Sequence, residues 1–223
     1  MSLIYEERES ESPYVDTIMH GWTLADDAQT RPATSHWHIV FTKHEGRQFP
    51  IVVGPWTTAG TARWSKDAEI VWVRLKLGTF IPSFPVRKLV DAELVLPEAS
   101  DNSFWLNGSA WQFPDYENID TFIARLARSG ALVRDPVVHA ALQDHLPESP
   151  SRTVRHRFLQ ATGLSRSHIQ QINRAQQALN LLQQGVAILD VVDQIGYADQ
   201  PHLTRSLKRF TGYTPAQVAR SSV

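Results

Sequence analysis

The sequence predicts a two-part α+β protein. A mostly-β barrel or sandwich with a trailing helix comes first, and an all-α part with two units of helix, tight turn and helix follows. Three observations predict it. Apolar residues alternate at spacing two in stretches between positions 35 and 96, and helical spacing takes over from 119. Charge divides the same way: residues 150–223 hold nine Lys and Arg against three Asp, a net of +6, while residues 1–149 hold thirteen against twenty, a net of −7. All seven Trp lie at or before position 111. The formal net charge of −1 therefore hides a basic half, and such asymmetry points to an anionic partner for that half.

The elements follow in order. Residues 1–20 show no clear period. From Ser35, Trp37, Ile39 and Phe41 alternate with His36, His38, Val40 and Thr42, which predicts a strand. Glu45-Gly46-Arg47 is a turn signal and 48–53 a second strand, so the two form a hairpin ended by Gly54-Pro55. Residues 69–77 alternate again, with Val71, Val73, Leu75 and Leu77 on one face and Ile70, Trp72, Arg74 and Lys76 on the other. Residues 89–96 hold one or two short strands. Residues 97–117 are irregular but too aromatic for a disordered linker, so they are expected to dock on the β domain with a short helix at 102–107. Ile119, Phe122, Ile123 and Leu126 mark a helix over 119–129. Val133-Arg134-Asp135-Pro136 is the expected boundary, dividing 1–133 from 134–223.

Beyond it, Asp135-Pro136 starts a helix over 136–145. Residues 149–161 form the next, with Val154, Phe158 and Ala161 behind and Arg152, Arg155 and His156 in front. A long helix at about 166–184 follows, with Ile169, Ile172, Ala175, Leu179 and Leu182 inward. In the second unit Ile188, Val191, Val192 and Ile195 make one apolar face, and Gly196 stops the helix. Asp199 is placed to cap the next helix, with Pro201 in its first turn. Leu203, Leu207 and Phe210 form its apolar stripe; Pro201, Thr204, Arg205 and Lys208 lie opposite, flanked by His202 and Arg209. An apolar back with Thr, Arg and Lys in front suits entry into a DNA major groove, where Arg grips guanine O6 and N7 and Lys neutralises phosphate.

The run GYADQPHLTRSLKRFTGYTP resembles the second helix-turn-helix and signature of the AraC/XylS family of bacterial transcription regulators. It carries Gly196, Tyr197, Asp199, Leu203, Arg205, Leu207, Lys208, Gly212, Thr214 and Pro215 in the family order, with Pro201 where Ser is common. SRTVRHRFLQATGLS resembles the reading helix of the family's first unit through Arg157, Phe158, Gly163 and Ser165. The segment before it, through Leu146-Pro147-Glu148-Ser149-Pro150, is shorter than the family's opening helix. A fainter likeness, through Gly78, Phe80, Phe84 and Asp91, links 73–96 to the β-rich sensor domain of one subgroup, with Leu77 where Pro is common.

The resemblance implies double-stranded operator DNA as partner and RNA polymerase as a further one. Arg152, Arg155 and His156 are expected to face bases from the first unit, and Gln200, His202, Thr204 and Arg205 from the second, with Lys208 on phosphate. Arg166 and Arg174 are expected to meet phosphates or neighbouring residues. Trp37, Trp72 and Arg74 are the candidates for a small-molecule effector site, and the Trp-rich half also offers a homodimer surface. His36 and His38, with His44 and Glu45 near, are read as histidines on a solvent face rather than as metal ligands, and no cofactor is expected. G-x-S-x-G, Walker, G-x-G-x-x-G and H-E-x-x-H motifs are absent, and without cysteine there is no disulfide, thiolate zinc site or methyl-accepting thiol. No run approaches the ~20 apolar residues of a membrane span. The start of the sequence lacks an apolar signal segment, so the cytoplasm is the expected location. Two rival readings stay open: a constitutive DNA-binding regulator whose first domain only dimerises or docks a partner, and a ligand-binding or metal-dependent β-barrel enzyme with a helical tail.

Overall fold

Alternation in the first half becomes a six-stranded antiparallel sheet in the computed structural model of the chain, which describes residues 2–142 and 151–221. Its strands are β1 (Leu3–Glu9), β2 (Val15–Thr23), β4 (His38–His44), β5 (Arg47–Val53), β7 (Glu69–Leu75) and β9 (Glu93–Val95), in the order β1-β2-β7-β4-β5-β9. Contacts divide the chain into two compact units. One comprises Met1–Asp27, His36–Pro55 and Arg63–Ser165, and the other Ala28–Ser35, Trp56–Ala62 and Arg166–Val223.

In the first unit Val71, Val73 and Leu75 alternate onto the inner face of the sheet and are at most 5% exposed. Phe41 on β4 meets the ring of Phe122 edge-on at 5.6 Å. Phe122, Ile123 and Leu126 come from α1 (Ile119–Arg128), whose apolar stripe supplies much of the cover for this face. A three-stranded sheet supplies the rest: β10 (Glu98–Ser100), β11 (Ser103–Leu106) and β12 (Ser109–Gln112). Phe104, Leu106 and Trp111 point from it into the same core. Burying each large apolar side chain stabilises the unit by about 1.5–3 kcal/mol relative to exposure. Among the described residues the large sheet ends at β1 and β9 and does not close, so the architecture is a covered open sheet of sandwich type, not a barrel.

Three expectations are corrected here. Residues 1–20, without a readable period, form β1 and β2. The edge strand β1 is mostly exposed, so no alternating burial is imposed on it. In β2 a register shift between Val15 and Thr17 lets Val15 and Ile18, three apart, both point inward. The helix expected at 102–107 is instead a hairpin of β11 and β12, turning at Asn107 (φ 51°) and Gly108 (φ 74°). Both residues take the left-handed conformation that a two-residue hairpin turn requires. His36 and His38 do not stand on a solvent face: His38 is 5% exposed and His36 is half-buried.

The first unit also contains β8 (Thr79–Phe80), the 3₁₀ turn Val86–Lys88, β13 (Val133–Arg134), α2 (Pro136–Leu142) and α3 (Ser151–Thr162). Val133–Arg134, expected as a boundary, pairs with β8. Helix α3 packs on α2, β8 and the 3₁₀ turn, with Phe158 and Ala161 buried. The expected end of one helix at 145 and the start of the next at 149 lie outside the described residues.

The second unit holds α4 (Arg166–Gln183), α5 (Ile188–Ile195), α6 (Gln200–Thr211) and α7 (Pro215–Ser221). Their core joins Ala178 and Leu182 to Val191, Val192, Leu203, Leu207 and Val218. It also holds most of a two-stranded ribbon of β3 (Asp27–Arg31) and β6 (Gly60–Trp64), of which Asp27, Arg63 and Trp64 fall in the first unit. No described helix is long and apolar enough to cross a membrane.

Asp135 joins local to tertiary structure in the first unit. Its Oδ1 accepts the Val137 N–H at 2.8 Å and the Val138 N–H at 3.3 Å, capping α2, and its Oδ2 accepts Arg157 Nε–H at 3.0 Å. Arg157 is 41% exposed, so the ion pair contributes little and the cap dominates. Asp135→Ala should therefore lower the unfolding free energy in urea by about 1–2 kcal/mol, and Asp135→Asn, which keeps a capping oxygen, by much less. Equal losses for the two variants would refute the capping role.

Candidate nucleic-acid interface

Most signature positions of the GYADQPHLTRSLKRFTGYTP run have a physical task in the second unit. Gly196 ends α5 in the left-handed conformation, φ 75°. Tyr197 is buried, and its hydroxyl lies 2.9 Å from Ser206 Oγ on α6. Arg174 of α4 lies over the Tyr197 ring at 4.6 Å and donates to the Gly196 carbonyl at 2.7 Å. Together these fix the turn between α5 and α6. Arg174, expected on phosphate or a neighbour, is thus a brace within the domain.

Helix α6 starts where Asp199 Oδ1 accepts the His202 backbone N–H at 2.6 Å, with Pro201 in the first turn. Its back, Leu203, Leu207 and Phe210, is at most 3% exposed. Gly212 ends it at φ 82°. Thr214 and Gln217 then cap α7 reciprocally: Gln217 Oε1 accepts the Thr214 N–H at 2.9 Å, and Thr214 Oγ1 accepts the Gln217 N–H at 3.4 Å.

The predicted reading residues fall on the opposite face. Gln200, His202, Arg205 and Lys208 are exposed and Thr204 is half-buried. They differ in what they are free to do. Thr204 Oγ1 donates to the Gln200 carbonyl at 2.9 Å, and Lys208 Nζ donates to the Gly212 carbonyl at 2.9 Å. The His202 ring meets Tyr197 edge-on at 5.1 Å. Arg205 makes no hydrogen bond or ion pair to another described residue, so its five donors face solvent. On α3, in the first unit, Arg152, Arg155 and His156 are all exposed while Arg157 is held by Asp135. Sequence reasoning missed the ribbon of β3 and β6 beside α6; it has no motif, and only its contacts reveal it.

A helix seated on its apolar stripe, capped at its start and presenting Arg, Lys, Gln and His outward, defines a DNA-binding protein of the helix-turn-helix class. More narrowly, residues 149–221 match the family model of a helix-turn-helix domain. With the signature residues in place, this part of the chain is a helix-turn-helix domain of the AraC type, the kind with which transcription regulators bind DNA. No curated protein matches the chain. Among solved structures it is similar to ToxT from Vibrio cholerae O395 bound to (E)-4-(8-methylnaphthalen-1-yl)but-3-enoic acid, at 8% identity and a TM-score of 0.42, over 100% of both chains. It is also similar to a 1.65 Å structure of ToxT from Vibrio cholerae, at 10% identity and a TM-score of 0.36, over 99% of this chain and 98% of that one. The assignment rests on the family match and the signature residues.

The three candidate effector residues do not converge. Trp37 points into the core of the first unit and is 2% exposed. Trp72 and Arg74 lie on the other face of the sheet, where register sets Val40 beside Trp72 and His38 beside Arg74. His38 and Trp72 rings meet at 5.2 Å, and Arg74 Nε donates to Asp16 Oδ2 at 2.9 Å. Among the described residues no group of three His, Cys, Asp or Glu is placed to hold a metal ion.

His36 Nδ1–H donates to the Leu75 carbonyl at 2.8 Å. Burial is the largest influence and holds the ring below its ordinary value of 6.5; the hydrogen bond and Asp16 oppose the shift, and Arg74 adds to it. The unfolded chain therefore binds this proton at higher pH than the folded one. The corresponding stability is complete above about pH 6.5 and is lost as pH falls below it. Thermal unfolding followed from about pH 7.5 to about pH 5 should show a falling midpoint, with a flatter fall in His36→Gln. The same slope in both proteins would exclude His36 as the cause.

Proposed function

We propose that the chain is a sequence-specific transcription regulator in which α6 reads bases and Arg205 supplies the principal contact. The observation that carries this reading is the Arg205 guanidinium, exposed and unengaged among the described residues, on a helix whose opposite stripe is buried and whose start is capped. Gln200, His202 and Thr204 complete the reading face. Lys208 goes to phosphate, exchanging its bond to the Gly212 carbonyl for a charged acceptor.

Arg152, Arg155 and His156 make α3 a second reading helix. The joining helix α4 has 18 residues, about 27 Å at 1.5 Å per residue. That length approaches the ~34 Å between major-groove faces one turn apart, which supports reading of two successive grooves. In functional terms residues 134–223 are the DNA-binding part and residues 1–133 the sensing or assembly part. Effector binding in the β-rich part would shift operator affinity by linkage, and RNA polymerase and a second copy of the chain are the protein partners. A second reading is favoured by the packing of Phe41, Phe104, Trp111 and Phe122, whose rings fill the inner face of the sheet. In it the β-rich part assembles or docks a partner and the regulator is constitutive.

Duplexes selected from a random pool by the full chain provide the operator for a test. Arg205→Ala should weaken binding to the selected duplex about 5- to 150-fold and relax preference at one base pair. Lys208→Ala should weaken binding to all sequences alike and reduce the salt slope by about one. Unchanged affinity and salt slope in Arg205→Ala would overturn α6 as the reading helix.

A further inference from the structure

Helix α6 leaves its last carbonyls without partners inside the helix, as every α-helix does. In this unit the partners come from residues that flank the ribbon of β3 and β6. Arg209 O accepts the Ala59 N–H at 2.8 Å, and Phe210 O accepts the Ala33 N–H at 2.7 Å. One donor follows β3 and the other precedes β6, so both strands must be in place to close the helix end. Gly212, which ends α6, faces the ribbon as well: a Cβ there would collide with the Thr30 methyl.

The ribbon is tied to α4 too. Gln176 Nε2 donates to the Ala33 carbonyl at 3.0 Å, and His168 Nε2 lies 3.2 Å from the Thr57 carbonyl. It is held to itself by reciprocal backbone bonds between Thr34 and Trp56, at 3.0 and 2.9 Å, and by Arg31 stacked 3.7 Å over the Trp56 ring.

Connectivity gives these contacts a consequence. Strand β3 lies in the chain between β2 and β4, and β6 between β5 and β7. Those four strands are the central run β2-β7-β4-β5 of the large sheet. Every end of the ribbon therefore continues into a central strand.

We infer that the β3–β6 ribbon is a positioning element for DNA reading, which links the central sheet strands to the C-terminal end of α6. The inference rests on the reading of α6 as the base-contacting helix. Ala33 and Ala59 act through their backbone amides, and Gly212 and Thr30 set how closely ribbon and helix approach.

The test uses the full chain, a duplex it selects from a random pool, and a random-sequence duplex as reference. Gly212→Ala places a methyl against Thr30 and should lower affinity for the selected duplex about tenfold, with a smaller loss on random sequence. Adding Thr30→Ala removes the clashing methyl but not the strain of a left-handed alanine, so the double variant should regain at least about threefold. Left-handed strain alone would not respond to residue 30. Gln176→Ala loosens the ribbon from α4 without touching α6, and should lower specific affinity about fivefold in a chain with an unchanged circular dichroism spectrum. The inference is overturned if the double variant binds no better than Gly212→Ala, or if Gln176→Ala binds as tightly as the parent chain. Failure of the parent chain to select any sequence, or an Arg205→Ala variant that binds normally, would instead overturn the DNA-reading assignment itself.

Discussion

A helix that must present side chains to DNA cannot use its exposed face for its own stability. Its ends and its back have to hold it. In α6 the back is the stripe of Leu203, Leu207 and Phe210, and the start is closed locally by Asp199. The far end is closed by amides of Ala33 and Ala59, more than a hundred residues earlier in the chain. That non-local cap is the constraint on which the second unit depends. It explains why two short segments of the β-rich half belong, by contact, with the helices, and why Gly212 serves both to end the helix and to admit the ribbon.

The same economy governs the charges of the domain. Of the basic residues that face outward in pattern, some are already occupied. Arg174 braces Tyr197 and Gly196, and Arg157 holds Asp135. A count of positive residues therefore overstates the number available to DNA. Arg205, with Arg152 and Arg155 on α3, remains exposed and unengaged among the described residues, in contrast to the arginines that hold the fold together.

The β-rich half works by different physics. Its inner face is filled by interlocking rings, and burial sets the chemistry of what lies near. His38 is buried edge-on to Trp72, and His36 is kept below its usual proton affinity chiefly by burial. His36, bonded to the Leu75 carbonyl, and His38, packed on Trp72, are better described as members of a packed sheet than as surface groups. Trp37, on the opposite face from Trp72, belongs to the core and not to a common site with it.

Elements with a local cause were legible in the sequence. The hairpin around Glu45-Gly46, the alternation of Val71, Val73 and Leu75, the stripe of α1 and the capped helices of the Gly196–Pro215 signature each follow from spacing and turn residues a few positions apart. The Asn107-Gly108 turn was equally local, but the aromatic residues around it masked its signal. By itself the sequence thus determined the class of each half, the capped start of α6, its end at Gly212 and the face it presents. Only the tertiary structure decided which arginines are engaged, that Val15 and Ile18 share a face across a bulge, that α3 packs with the β-rich unit, and that a ribbon from between the sheet strands ends α6. The physical reason is one of range. Periods and caps are written within a turn or two of chain, whereas the pairing of Ala33 with Phe210 is set by packing between residues that no local pattern connects.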